Sequence, residues 1–255
     1  RLSEAKLRWS AYHNTKVVMF CNSRGNAGMI EYPSGKCLWK VDVGQSPHSI
    51  ELLPDGDIVV ASSGGGTWEN GRLYYYDLGS NGTYTYNGEY ELNGAHGLTW
   101  DSGNQLLWAL GFPELVAYTI KNDSNGRGTL QLAEGLGCDV PNATGHDLIA
   151  DYRNSDILWI TDNKGVYQFS KSQNKLLAEY AHSATLQGVL TVKGMGGFSD
   201  SVVVCVSYED AATADSDPST VRMYWPERDG TLTLKKFDNA AFGFNKVRVF
   251  CTDYQ

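Results

Sequence analysis

One phrase recurs along the chain: "PHSIELLPDGDIVVASS" from Pro47, "AHGLTWDSGNQLLWALG" from Ala95 and "GHDLIADYRNSDILWITD" from Gly145. Each opens on a histidine, and His48, His96 and His146 stand 48 and 50 residues apart. On that period Gln187, ahead of "GVLTVKGMGGFSDSVVVCVS", takes the histidine's place in a later unit. Glu4 in "EAKLRWSAYHNTKVVMFC" and Asn245 in "NKVRVFCTDYQ" take it in the first and last. Self-similarity at a fixed period of tens of residues marks a fold of stacked or radial units, none able to bury its apolar face alone.

Each unit reads as four short strands. The first follows the marked residue, as in "SIELL", "GLTW", "DLIAD" and "VLTVK". The second is the most apolar, as in "KVVMF", "DIVVAS", "QLLWAL", "DILWIT" and "SVVVCV", which suits strands covered on both faces. The third ends on an aromatic column of Tyr32, Tyr76, Tyr118, Phe169 and Trp225, and the fourth is amphipathic. "PDG" at 54–56, "DSGN" at 101–104 and "RNSD" at 153–156 supply turn chemistry between strands one and two. Four-stranded units of this length predict an all-β fold, a β-propeller. The whole of 1–255 is expected to form one propeller domain with blade starts near 4, 48, 96, 146, 187 and 245. Six starts but five complete units predict a six-bladed plan with an incomplete closing blade, whose open edge needs a cover.

Composition narrows the classes of partner. The net charge is −8 and there is no dense Lys/Arg cluster, which argues against nucleic acid. No apolar run reaches the roughly 18 residues that a membrane-spanning helix needs, so no membrane partner is expected. Asn81 ("NGT"), Asn122 ("NDS") and Asn142 ("NAT") are N-glycosylation acceptors in turn-rich segments, which predicts a secreted, extracellular protein. The five cysteines show no metal-type spacing. Cys21 with Cys37, or Cys205 with Cys251, are available for a disulfide; otherwise they are small buried hydrophobes.

"YPSGKCLWKVDVGQSPHSIELLPDG", "AHGLTWD", "LLWALG", "GHDL", "GVYQFSKS" and "DYQ" together resemble a family of secreted bacterial and fungal β-propellers catalogued as a domain of unknown function. The resemblance runs over nearly the whole chain and implies fold and compartment. More distantly, the histidine-marked repeat is similar to histidine-lined propeller polysaccharide lyases, a likeness of fold.

Innermost propeller strands line one axis, so equivalent positions on successive blades converge although about 48 residues separate them. His48, His96 and His146 are therefore the expected centre of a site. Three chemistries fit. With Gln187 they form a ligand set for a divalent metal such as Zn²⁺, Mn²⁺ or Ca²⁺. Without metal they are catalytic or sugar-binding groups, one of them removing the C5 proton of a uronic acid in a lyase reaction on an extracellular glycan. As a third reading they are structural residues copied with the repeat. Arg8, Lys193 and Arg248, further along first strands, are the expected contacts to an acidic sugar. A rival to carbohydrate recognition is a scaffold that self-associates by strand pairing at the open blade.

The remaining motifs read as loops. "SSGGGTWENG" (62–71) lacks the Lys-Ser/Thr pair of a phosphate loop and is read as a turn that carries Trp68 near a rim. "YEDAATADSDPST" (208–220) lacks calcium-loop spacing and is read as a solvated acidic loop. His13 and His182 fall outside the histidine column and are read as surface residues.

Overall fold

The computed structural model describes residues 2–44, 46–181, 183–187, 192–197, 203–207, 220–226, 232–238 and 246–248. Asn245, His182, Cys251 and most of the acidic loop lie outside the described residues, as does the side chain of Cys205. The expected all-β propeller is present, as five four-stranded antiparallel sheets. The first holds β1 (Leu2–Ser10), β2 (Thr15–Asn22), β3 (Asn26–Tyr32) and β4 (Cys37–Asp42). The second holds β5 (Pro47–Leu52), β6 (Ile58–Ser62), β7 (Arg72–Leu78) and β8 (Tyr84–Glu91). The third holds β9 (Gly97–Asp101), β10 (Leu106–Leu110), β11 (Glu114–Asn122) and β12 (Gly128–Asp139). The fourth holds β13 (Asp147–Ala150), β14 (Ile157–Thr161), β15 (Val166–Ser170) and β16 (Lys175–Leu176). A short helix, α1 (Ser183–Leu186), leads to the fifth: β17 (Val192–Gly197), β18 (Val203–Ser207), β19 (Thr220–Pro226) and β20 (Leu232–Asp238). Six blades were expected. Among the described residues there are five, and Lys246–Arg248 run beside β17 without strand pairing.

The burial pattern explains the sequence pattern. β6, β10 and β14 are buried at every position, because each is sandwiched between two neighbouring blades. Alternate residues face opposite neighbours: Ile58 and Val60 join a core with Met19 and Met29 of the first blade, whereas Val59 and Ala61 join one with Leu107 and Ala109 of the third. Leu106, Trp108 and Leu110 meet Leu158 and Ile160 of the fourth blade, and Trp159 meets Val192 and Met195 of the fifth. Every core is thus shared between blades. The outer strands β4 and β8 are largely uncovered.

Of the two available cysteine pairs, Cys21 with Cys37 is not bonded. Cys21 lies in the core between the first two blades and Cys37 is exposed on β4; both are free, as is Cys138.

The first strands lie innermost, with β1 against β5, β5 against β9, β9 against β13 and β13 against β17. Their axial faces are charged. Lys6 Nζ lies 3.1 Å from Glu4 and 3.4 Å from Glu51, and donates to Leu98 O at 2.6 Å. Arg8 holds Glu51 with two bonds of 2.7 and 2.9 Å. Lys246 lies 3.2 Å from Asp147, and Arg248 grips Asp147 at 2.6 and 2.5 Å while also donating to Glu4. Burial alone would raise the Glu4 pKa, but Lys6, Arg248 and Lys246 together hold it far below the usual carboxylate range. Asp147 is held down against burial by Arg248 and Lys246, and Glu51 by Arg8 and Lys6.

In a dry interior, removing one member of such a set strands the others, a loss of about 3–5 kcal/mol. Asp147→Asn should therefore lower the unfolding free energy by about 3–5 kcal/mol in urea titrations. An effect below about 1 kcal/mol would mean that water already screens the hub.

Candidate functional site

At one end of the axis the three histidines come together. His48 is the second residue of β5, and His96 and His146 immediately precede β9 and β13. The rings of His48 and His96 stack with centroids 4.0 Å apart and planes 20° apart, and Phe112 stacks on the other face of His96 at 5.0 Å and 14°. His146 meets His96 edge-on at 5.4 Å and Phe112 at 6.0 Å. Trp68 lies 5.0 Å from Phe112 and 6.4 Å from His96, and is 48% exposed, so it forms the open margin of the cluster. A one-turn 3₁₀ helix, Trp68–Asn70, presents it. The preceding glycines give that loop its path: Gly64 has φ +92°, and a Cβ there would lie 2.3 Å from Thr67 O.

Register shows that Lys193 shares the histidines' position, and Gln187 does not. In three interfaces an inner-strand side chain accepts the backbone N–H of the next blade: Glu4 from Ile50, Ser49 from Leu98 and Asp147 from Met195. The residues two places before Ile50, Leu98 and Met195 are His48, His96 and Lys193. Gln187, at the end of α1, instead points its amide to Ala178 O at 3.4 Å. The strand is Val192–Gly197, "VKGMGG", three residues beyond the start of "VLTVK". Gly194 is needed there because Lys246 passes so close: a Cβ would lie 2.7 Å from Lys246 Cα.

The polar contacts define the protonation states. His96 Nδ1 is 2.7 Å from Gly94 O, which makes that nitrogen the N–H donor and leaves Nε2 unprotonated in the neutral ring. His146 Nε2 is 2.6 Å from Asn163 Oδ1 and 2.7 Å from Lys193 Nζ. It cannot donate to Asn163 and accept from Lys193 at once, so the two contacts correspond to different tautomers. His48 Nε2 meets Ser46 Oγ at 3.2 Å, while its buried Nδ1 has no partner among the described residues. Burial, and then the nearby cations, bring His48 and His146 down to about 3, and His96 is also well below its ordinary value. Lys193 is lowered to about 8 by burial and then by the charge of Lys246.

This arrangement limits the chemistry. A metal needs nitrogen lone pairs converging on one point, but lone pairs lie in the ring planes, and the His48 and His96 planes are nearly parallel. Lys193 Nζ already approaches His146, and among the described residues no three His, Cys, Asp or Glu side chains are placed to hold a metal ion. As oriented, the His48 and His96 rings do not converge on one metal position. A histidine near 3 is also a weak general base at neutral pH.

Of the expected sugar-binding cations, Arg8 and Arg248 are engaged by Glu51, Asp147 and Glu4 in the hub. Lys193 is at the site and, among the described residues, has no carboxylate partner. Asn81 is exposed in a turn and Asn122 is exposed at the end of β11, whereas Asn142 is partly covered and hydrogen-bonds Asp162. Phe112, Asn163 and Lys246 were not foreseen. A separate cleft of about 650 Å³ opens at the other end of blades three and four, between the turns bearing Asp101 and Asp151. Its acidic groups are held by Lys171, Trp159 and Ser170.

Together these features define an all-β propeller with a largely buried aromatic and histidine cluster at one end of its axis. The chain belongs to the Family of unknown function (DUF6528), whose model matches residues 5–197. Among solved structures, it is similar to a functionally unknown protein from Desulfotomaculum acetoxidans, with 9% identity and a TM-score of 0.57, covering 91% of this chain and 70% of that one. A protein from Lactobacillus plantarum gives 15% identity and a TM-score of 0.54, covering 86% and 67%. At such identities the likeness is one of fold. No curated protein matches.

A pH dependence follows from the histidines. Their folded-state pKa values lie below the unfolded value of about 6.5, so the unfolded chain binds protons first as pH falls. The histidines' contribution to stability should be level above about pH 7 and decline below about 6.5, each buried histidine adding about 1.4 kcal/mol per pH unit. Urea midpoints from pH 8 to 5 read this slope, and His146→Gln should make it shallower.

Proposed function

We propose that the axial mouth recognises an acidic carbohydrate, a uronate-containing glycan outside the cell, by binding rather than cleavage. The observation that carries this reading is Lys193. The hub cations Lys6, Arg8, Lys246 and Arg248 each have a buried carboxylate, whereas Lys193, half-buried beside neutral imidazoles, has none among the described residues. An anion is the missing partner, and a sugar carboxylate supplies it. The exposed Trp68, backed by Phe112, offers an apolar face for a pyranose ring. The exposed sequons at Asn81 and Asn122 support a secreted glycoprotein. Cleavage fits less well, because His48 and His146, near 3, hold a C5 proton too weakly to act as lyase bases.

Calorimetry with oligogalacturonate, and with a neutral oligosaccharide of equal length, tests the reading. A charged hydrogen bond of about 1.5–3 kcal/mol predicts a loss of roughly tenfold to a hundredfold for Lys193→Ala. Trp68→Ala should weaken binding of the same ligand. The attractive ammonium is present below its pKa, so affinity should fall as pH rises through about 8. Equal binding of neutral and acidic sugars, or no response to Lys193→Ala, would overturn the assignment.

A further inference from the structure

Lys193 has a second property that anion binding does not use. Its Nζ lies 2.7 Å from His146 Nε2 and 3.3 Å from Nδ1, so a neutral imidazole orients the amine by accepting its hydrogen bond. Lys246, whose side chain is wholly buried, brings a second ammonium close enough to disfavour charge on the first. A lysine desolvated beside another cation is a recurrent way of preparing an amine nucleophile. Asn163 supplies the other half of the device. When His146 carries its proton on Nε2 it donates to Asn163 Oδ1, and when Nε2 is bare it accepts from Lys193. The imidazole thus has two hydrogen-bonded states that differ by one proton at the nitrogen facing the amine.

We propose that Lys193 is an amine nucleophile that captures a small 2-oxo acid or acidic aldehyde as a reversible imine at the axial mouth. The free amine attacks the carbonyl carbon, forming a C–N bond while the carbonyl π pair moves to oxygen. The nitrogen sheds a proton to water, and the new oxygen takes one up. The carbinolamine then loses its hydroxyl group with a proton as water, and the C=N bond forms. Amine and carbonyl give imine and water, with no oxidant or reductant. A carboxylate on the ligand is favoured because four hub cations face three carboxylates among the described residues. The ligand's own negative charge offsets that excess.

The test is trapping on the full chain. Glyoxylate with cyanoborohydride, the latter reducing any imine to a stable secondary amine, is followed by peptide mass mapping at pH 7. Lys193 should be modified about tenfold or more faster than the exposed Lys16, Lys36 and Lys40, because burial and Lys246 favour its free amine. The rate at Lys193 should rise with pH to a midpoint near 8. Lys193→Arg should abolish the rapid phase, and calorimetry of the unsubstituted protein with oligogalacturonate reads glycan binding separately, so failure of the imine chemistry is distinguishable from failure of the glycan reading. Modification of Lys193 no faster than Lys16, or a midpoint near 10, overturns the proposal. Both readouts come from the unsubstituted protein and do not depend on any variant folding.

Discussion

The buried ion pairs along the axis are the constraint around which the molecule is arranged. Lateral packing between blades is apolar and adaptable, and any close-packed set of Val, Ile, Leu and Trp would serve it. The hub is less forgiving. Glu4, Glu51 and Asp147 are fully buried, and each needs its cation at hydrogen-bond distance to remain charged. Because Glu4 belongs to the first blade, Asp147 to the fourth and Arg248 to the segment beside the fifth, these bonds fix the blades' positions around a common centre.

The same hub explains the state of the mouth. Lys246 donates to the backbone carbonyl of His96 at 2.5 Å, so positive charge lies directly beneath the imidazoles. A second charge there would be repelled and poorly solvated, and the histidines remain neutral. Neutral rings stack readily, and the His48–His96–Phe112 column is the result. What the repeat brings together is therefore an uncharged polar surface with one ammonium at its edge. That explains why a shared histidine position does not by itself signal metal or acid–base chemistry.

Much of the architecture was legible in the sequence, because the features that made it so are local. "DIVVAS", "QLLWAL" and "DILWIT" are apolar at successive positions only when both faces are covered, and "PDG" and "DSGN" turn where hairpins must. The convergence of His48, His96 and His146 was likewise readable from their period. Lys193 was seen, but its equivalence to the histidines was hidden because Gly194 beside it answers to Lys246, some 50 residues away. The hub had a signal too. Glu4, Lys6 and Arg8 alternate along β1, as do Lys246 and Arg248, and strand geometry puts each set on one face. Which charge meets which depends on contacts such as Lys6 with Leu98 O, across two blades, and no local pattern encodes them.

A wheel fastened at its axle can vary at its tread. The outermost strand of the fourth blade, β16, is only two residues long, while β12 in the neighbouring blade has twelve. Neither difference disturbs the central clasp between Glu4, Asp147 and Arg248. Descendants of such a chain are free to lengthen, trim or decorate their periphery and acquire new surfaces there, while the inherited axial chemistry stays in register.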